Sequence, residues 1–206
     1  MICEDGGMDT TFASNLLAEM ERALREERPD LDVAGIMEVA RFAAEAHGAT
    51  GVVRRYTGVP YIEHPVEVAM IVARAGLGAV AVKAGLLHDV LEETPKTLDE
   101  LRSRFGDEVA VVVDELTEKA TLADGNREAR KRMERERLAG VSALAKSVKY
   151  ADTLSTTPSI AKHDPKFARV YVPEKRTLLS VMLGGDATLF TMAVESVEAA
   201  GRAVSS

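Results

Sequence analysis

The sequence predicts an all-α protein built as a single bundle of helices. Three observations carry that expectation. The chain of 206 residues is rich in Ala, Leu, Val, Glu and Arg, has no Trp and only 4% aromatic residues, a mix that favours helices over sandwiches or barrels. Apolar residues recur at helical spacing through most of it. No internal repeat, low-complexity tract or linker divides it, and at 46% hydrophobic it can bury a core.

Taken in order, Met1 to Thr11 is acidic and glycine-containing. It is unlike a signal peptide and reads as a disordered tail, which leaves residues 12–206 for the domain. The single cysteine, Cys3, falls in that tail, which excludes a disulfide framework or a Cys-based zinc site. Phe12, Leu16, Leu17, Met20 and Leu24 mark a helix from Phe12 to Glu27, ended by Pro29. A second runs from Val33 to His47, with Gly48 as its cap. Gly48 to Pro60 is a loop carrying Arg54 and Arg55. His64-Pro65 opens a helix that reaches Arg74, and a Gly76-Leu77-Gly78 turn leads into the next, which Pro95 stops. Thr97-Leu98-Asp99-Glu100 is a capping-box pattern for a short helix to Phe105. Asp107 can cap the helix that follows, although its valines also suit a strand. Asn126 to Arg137 is a solvated helix or mobile arm by its charge. Leu138 to Leu154 regains an apolar period and delivers Asp152. Pro158, Pro165 and Pro173 then imply loops and short turns, before closing helices over Glu174–Leu183 and Asp186–Val204.

A net charge of −7 argues against a general nucleic-acid binder, but a phosphorylated small molecule can be met locally by a metal and a few Arg or Lys. The apolar stretch from Val66 to Leu87 is broken by Glu67, Arg74 and Lys83, so it reads as two core helices and no membrane span is expected. The cytoplasm is the expected compartment. The sequence sets no oligomeric state.

The chemistry concentrates in Leu86-Leu87-His88-Asp89-Val90-Leu91-Glu92-Glu93-Thr94. In a continuous helix His88 neighbours Glu92, and Asp89 neighbours both Glu92 and Glu93. Like charges leaving an apolar helix are costly unless they are solvated or a cation compensates them. His64, His88, Asp89 and Asp152 each stand at a helix start or end. Two imidazoles and two carboxylates suit Mn, Fe, Co or Zn better than Ca or Mg. Such a cation acidifies water for the hydrolysis of phosphate esters.

These residues sit in a longer pattern: Tyr56-Thr57-Gly58-Val59-Pro60-Tyr61-Ile62-Glu63-His64-Pro65, then Leu87-His88-Asp89-Val90-Leu91-Glu92-Glu93-Thr94, then Phe105-Gly106-Asp107-Glu108-Val109, then Val148-Lys149-Tyr150-Ala151-Asp152. Over about residues 36 to 183 the chain resembles the HD-domain metallophosphohydrolases, and among them the hydrolase domain of the RelA/SpoT family and its stand-alone small alarmone hydrolases. The resemblance implies removal of the 3′-pyrophosphate of guanosine tetra- or pentaphosphate with Mn2+. It implies His64, His88, Asp89 and Asp152 as metal ligands, and Glu92 and Glu93 as the acidic pair that positions and activates water. Arg54 or Arg55 matches the basic position beside the base, and Lys149 and Ser159 lie where the family contacts the nucleotide. With the chain ending at Ser206, degradation rather than synthesis of the alarmone is expected.

Three departures accompany the match. The loop before Gly58 is longer than the usual His-x-Gly-Gln pattern, Val59 replaces a common glutamate, and Thr156 stands where the family has Asn. A threonine hydroxyl is shorter and lacks the amide's paired donor and acceptor, so Thr156 enters the candidate nucleotide contacts as an altered one. Two alternatives stay open: a phosphohydrolase of another nucleotide (a deoxynucleoside triphosphate, a nucleoside monophosphate or NADPH), or a non-catalytic nucleotide-binding protein. His47 reads as closing its helix, His163 as a surface or turn residue, and Arg127–Arg137 as a solvated face.

Overall fold

The computed structural model describes residues 10–205. The expected tail lies outside them except for Thr10 and Thr11, which open the first helix, and Cys3 lies outside them too. The helices are α1 (Thr10–Glu27), α2 (Val33–Thr50), α3 (Glu63–Arg74), α4 (Ala79–Leu87), α5 (Val90–Glu93) and α6 (Leu98–Phe105). They continue as α7 (Asp107–Leu116), α8 (Arg127–Ala139), α9 (Ala143–His163), α10 (Pro165–Val181) and α11 (Ala187–Ser205), with a short 3-10 turn at Leu122–Asp124. Among the described residues extended pairing is limited to an isolated antiparallel bridge between Val53 and Pro60.

α9 is the shared wall of two apolar clusters. Its first half gives Ala145, Val148 and Ala151 to a core built from α1 to α7, around Leu24, Ile36, Leu86, Leu87 and Leu101. Its other face and second half give Tyr150 and Ile160 to a second cluster with α10 and α11, around Met182 and Leu189. Each fully buried Leu, Ile or Met contributes about 1.5–3 kcal/mol, so the two clusters hold α9 firmly between them. No described helix is long and apolar enough to cross a membrane.

Most helix boundaries follow local signals. Asp32 accepts from Gly35 N to cap α2, and Ser142 accepts from Ala145 N to cap α9. Thr97 caps α6 through Glu100 N, but the Glu100 carboxylate pairs with Lys96, so only half of the expected capping box forms. Gly106, at φ +88°, ends α6 and precedes α7 directly. Asp107 bonds Arg102 instead of capping. The valine-rich segment is helical.

Three expectations are corrected. α2 continues past Gly48 to Thr50, and Gly51, in the left-handed region at φ +67°, caps it by donating to Gly48 O. The helix bearing His88 is broken at His88–Asp89: α4 ends, Asp89 turns to φ −101° and ψ −3°, and α5 starts afresh. Pro158 and Pro173 lie inside α9 and α10, where the sequence implied loops. A proline there removes one backbone bond and costs about 3 kcal/mol. Both rings face solvent, while Ser155, Thr157 and Ile160 beside Pro158 are buried. Thr157 also bonds the Thr153 carbonyl and the Tyr171 hydroxyl, and this packing outweighs the proline penalty.

Candidate metal centre

Three helices deliver the four expected ligands to one place. His64 is the second residue of α3, and His88 and Asp89 form the break after α4, but Asp152, expected at a helix end, lies midway along α9 because that helix runs on to His163. His64 Nε2 is 3.2 Å from His88 Nε2, 3.3 Å from Asp152 Oδ1 and 3.6 Å from Asp89 Oδ2. His88 Nε2 is 3.1 Å from Asp89 Oδ2. His64, His88 and Asp89 alone already form a group able to hold a metal ion.

The local backbone explains the convergence. α3 and α4 pack closely because Gly85 faces the Ala69 backbone: a Cβ at Gly85 would lie 3.1 Å from Ala69 Cα. The Gly85 carbonyl accepts from His88 Nδ1 at 2.8 Å, which turns Nε2 inward. The break at Asp89 then rotates its carboxylate toward both imidazoles. In an unbroken helix the carboxylate would follow its own turn away from them.

Each ligand has a partner behind it. Tyr61 donates to Asp89 Oδ2 at 2.6 Å, and Lys149 meets Asp152 Oδ2 at 2.8 Å. Thr156 donates to Asp152 Oδ1 at 3.1 Å, and Ser155 Oγ lies 2.9 Å from His64 Nδ1. Tyr61 and Ser155 are contacts that the sequence reading missed. Tyr61 stands inside the motif before His64, and no local signal pairs it with a residue 28 positions away.

Electrostatics favours charged forms here. Burial disfavours the Asp89 and Asp152 carboxylates, but His88 beside the first and Lys149 beside the second hold both below the usual carboxylate range. Burial also opposes charge on His88, yet Asp89 outweighs it and raises its pKa to about 9. Burial pushes the Glu92 and Glu93 carboxyls up, with Asp89 adding to both. His47 is buried against the Tyr61 ring with both ring nitrogens unpaired among the described residues. Burial pushes its pKa down to about 4, so it is neutral.

Two cavities flank the centre and share Ile160 and Phe167. One, of about 210 Å³, is lined by His64 and Tyr61 together with Arg54, Arg55, Thr156 and Ser159. The other, of about 230 Å³, holds Glu92 and Lys149 below a basic wall from α8 and α10 that includes Arg127, Lys131, Arg135 and Lys175. The charged run Arg127–Arg137 was read as a solvated face; several of its cations border this cavity. Arg127 pairs with Glu174 and Lys131 with Glu118, while Lys175 has no ion pair among the described residues. Glu93 does not line either cavity. His163 is exposed and stacks on Tyr56.

Residues 40–177, the span that carries all four convergent side chains, match the HD domain family. The chain belongs to the HD-domain family. Over 139 residues this HD domain is 37% identical to guanosine-3′,5′-bis(diphosphate) 3′-pyrophosphohydrolase MESH1 of Xenopus tropicalis, covering 66% of the chain and 74% of that protein. The Homo sapiens protein of the same name is 38% identical over the same length, with the same coverage. Among solved structures, a metazoan ortholog of SpoT described as hydrolysing ppGpp superposes on the HD domain with a TM-score of 0.72. It is 26% identical, and the match covers 82% of this chain and 96% of that one.

Proposed function

We propose that this HD domain is a metal-dependent guanosine-3′,5′-bis(diphosphate) 3′-pyrophosphohydrolase. The observation that carries the reading is the meeting of His64 and His88 Nε2 with the Asp89 and Asp152 carboxylates at 3.1–3.6 Å, in a family whose named relatives perform that reaction. The donor set fits a divalent cation. Two imidazole lone pairs and two carboxylates crowd one point, and a cation removes their mutual repulsion. We assign Mn2+, which this mixed nitrogen and oxygen set suits. That ion would supply a Lewis acid for phosphate oxygens and acidify water.

The chain's own residues supply the rest. Glu92, with its carboxyl raised by burial, takes the proton of the attacking water. The water oxygen bonds to the phosphorus that carries the 3′ oxygen, the bond to that oxygen breaks, and pyrophosphate leaves as the nucleoside 3′-oxygen takes up a proton. Lys149, 2.8 Å from Asp152, offsets charge developing on the phosphates. The basic wall of α8 and α10 suits the phosphates. The Arg55, Thr156 and Ser159 side suits the nucleoside, where an arginine's planar fork can stack on a purine. We also propose a cytoplasmic compartment, which suits a free nucleotide substrate.

The test is phosphate or pyrophosphate release by the purified protein with Mn2+ from guanosine tetraphosphate, deoxynucleoside triphosphates and NADPH, with Asp89→Ala as control. Release from the tetraphosphate, lost in the control, is expected. Activity confined to another nucleotide would overturn the substrate and keep the metal centre. No turnover by protein that binds Mn2+ would overturn the reaction and favour a nucleotide-binding role.

A further inference from the structure

A line of hydrogen bonds runs from the loop before α3 to the back of His64. Arg54 Nη1 donates to Glu67 Oε2 at 3.1 Å and to Glu63 Oε2 at 2.9 Å. Ser155 Oγ donates to the same Glu67 Oε2 at 2.7 Å and lies 2.9 Å from His64 Nδ1. A serine hydroxyl has one hydrogen, and an ionised carboxylate can only accept. The Ser155 hydrogen therefore goes to Glu67, and the Ser155 oxygen must accept from His64. That places the proton of a neutral His64 on Nδ1 and leaves the lone pair on Nε2, the atom that faces His88, Asp89 and Asp152.

We infer that Arg54, Glu67 and Ser155 form a relay that fixes the tautomer and orientation of His64 for a divalent cation. The inference rests on the metal reading of the centre. Arg54 neutralises Glu67 and holds it in place, Glu67 commits the Ser155 hydrogen, and Ser155 sets His64. All three are positioning residues. The matching task at His88 falls to a backbone carbonyl, that of Gly85, so only His64 depends on side chains for it. The relay also separates the two neighbouring arginines. The Arg54 side chain is 16% exposed and held by two glutamates, whereas that of Arg55 is 74% exposed, with Asp164 3.8 Å away. Arg54 serves the metal centre, and Arg55 is the one open to a ligand.

The experiment is calorimetric titration of Mn2+ into the metal-stripped protein, with thermal melts confirming that each variant folds. Ser155→Ala and Glu67→Ala should each weaken Mn2+ binding about 10-fold, within the 10–100-fold range for residues that orient a ligand. Their double variant should lose no more than either alone, because they act through one line of bonds. Glu67→Gln, whose amide oxygen still accepts from Ser155, should recover most of the affinity. Saturating Mn2+ should restore kcat in all of them. Arg54→Ala should weaken Mn2+ binding, and Arg55→Ala should raise KM at unchanged Mn2+ affinity. Folded Ser155→Ala and Glu67→Ala proteins with wild-type Mn2+ affinity, or losses that add in the double variant, would overturn the relay alone. A wild-type protein that binds no Mn2+ would overturn the metal reading on which it stands.

Discussion

His64 and His88 point their Nε2 atoms at each other across 3.2 Å. The Nδ1 of His88 meets a carbonyl and that of His64 a hydroxyl, so both rings are locked with the same edge inward. Two lone pairs so placed repel unless a proton or a cation lies between them, and Asp89 beside His88 raises its pKa to about 9, which favours a proton there in the absence of a cation.

Metal occupancy should therefore be visible in stability. At about 100 times its Kd a ligand adds about 2.7 kcal/mol, which for a chain of this size raises Tm by roughly 5–10 °C. Melts of the stripped protein with and without Mn2+ measure this. Asp89→Ala should fold and show no such rise. An equal rise in that variant would place the bound ion elsewhere.

Gly85→Ala tests the packing that aims His88. The new Cβ would lie 3.1 Å from Ala69 Cα and 3.3 Å from Ala69 N, both backbone atoms that cannot swing aside. The helices must separate, at about 1–3 kcal/mol of stability by denaturant unfolding. His88 is tied to the Gly85 carbonyl, so Mn2+ affinity should fall as well. Loss of stability with unchanged affinity would show that the centre tolerates movement of α4.

The two glutamates of α5 should separate by role. Glu92 borders the cavity beside Lys149 and accepts from Glu118 N at 2.8 Å, whereas Glu93 lies outside both cavities and senses Asp89. Glu92→Gln should lower kcat by about 10²–10⁴-fold, the range for a lost general base, with the smaller loss in Glu93→Gln. Steady-state pyrophosphate release measures both. The reverse order would move the proton acceptor to Glu93.

Lys175 carries the pH dependence of the basic cavity. Burial lowers its pKa from 10.5 to about 8, against the opposing pull of Asp152. Between those values the unfolded chain binds the extra proton, so stability rises with pH across pH 8 to 10.5, and the full penalty applies below 8. Lys175→Met should remove the penalty and stabilise the fold at pH 7 by on the order of 1–3 kcal/mol. It should also raise KM for the nucleotide. In the wild type KM should climb as pH passes about 8 and the ammonium is lost, while in Lys175→Met it should be high and flat. A wild-type KM that stays level across that window would remove Lys175 from substrate binding.

The helices and the four convergent side chains were legible in the sequence because their signals are local. Apolar period, a proline after His64 and adjacent His88-Asp89 need only neighbours in the chain to be read. The break at His88–Asp89 was not legible, since every residue from Ala79 to Glu93 tolerates a helix and nothing local marks the interruption. Nor were the helical settings of Pro158 and Pro173, where burial of their neighbours overrides a local penalty. Tertiary structure alone decided which charges face the chemistry. It brings Tyr61 to Asp89 across 28 residues, Ser155 to Glu67 across 88, and α8 cations to a cavity that α9 and α10 complete. Such contacts depend on how helices pack over their buried faces, and a sequence states the faces without stating which of them meet.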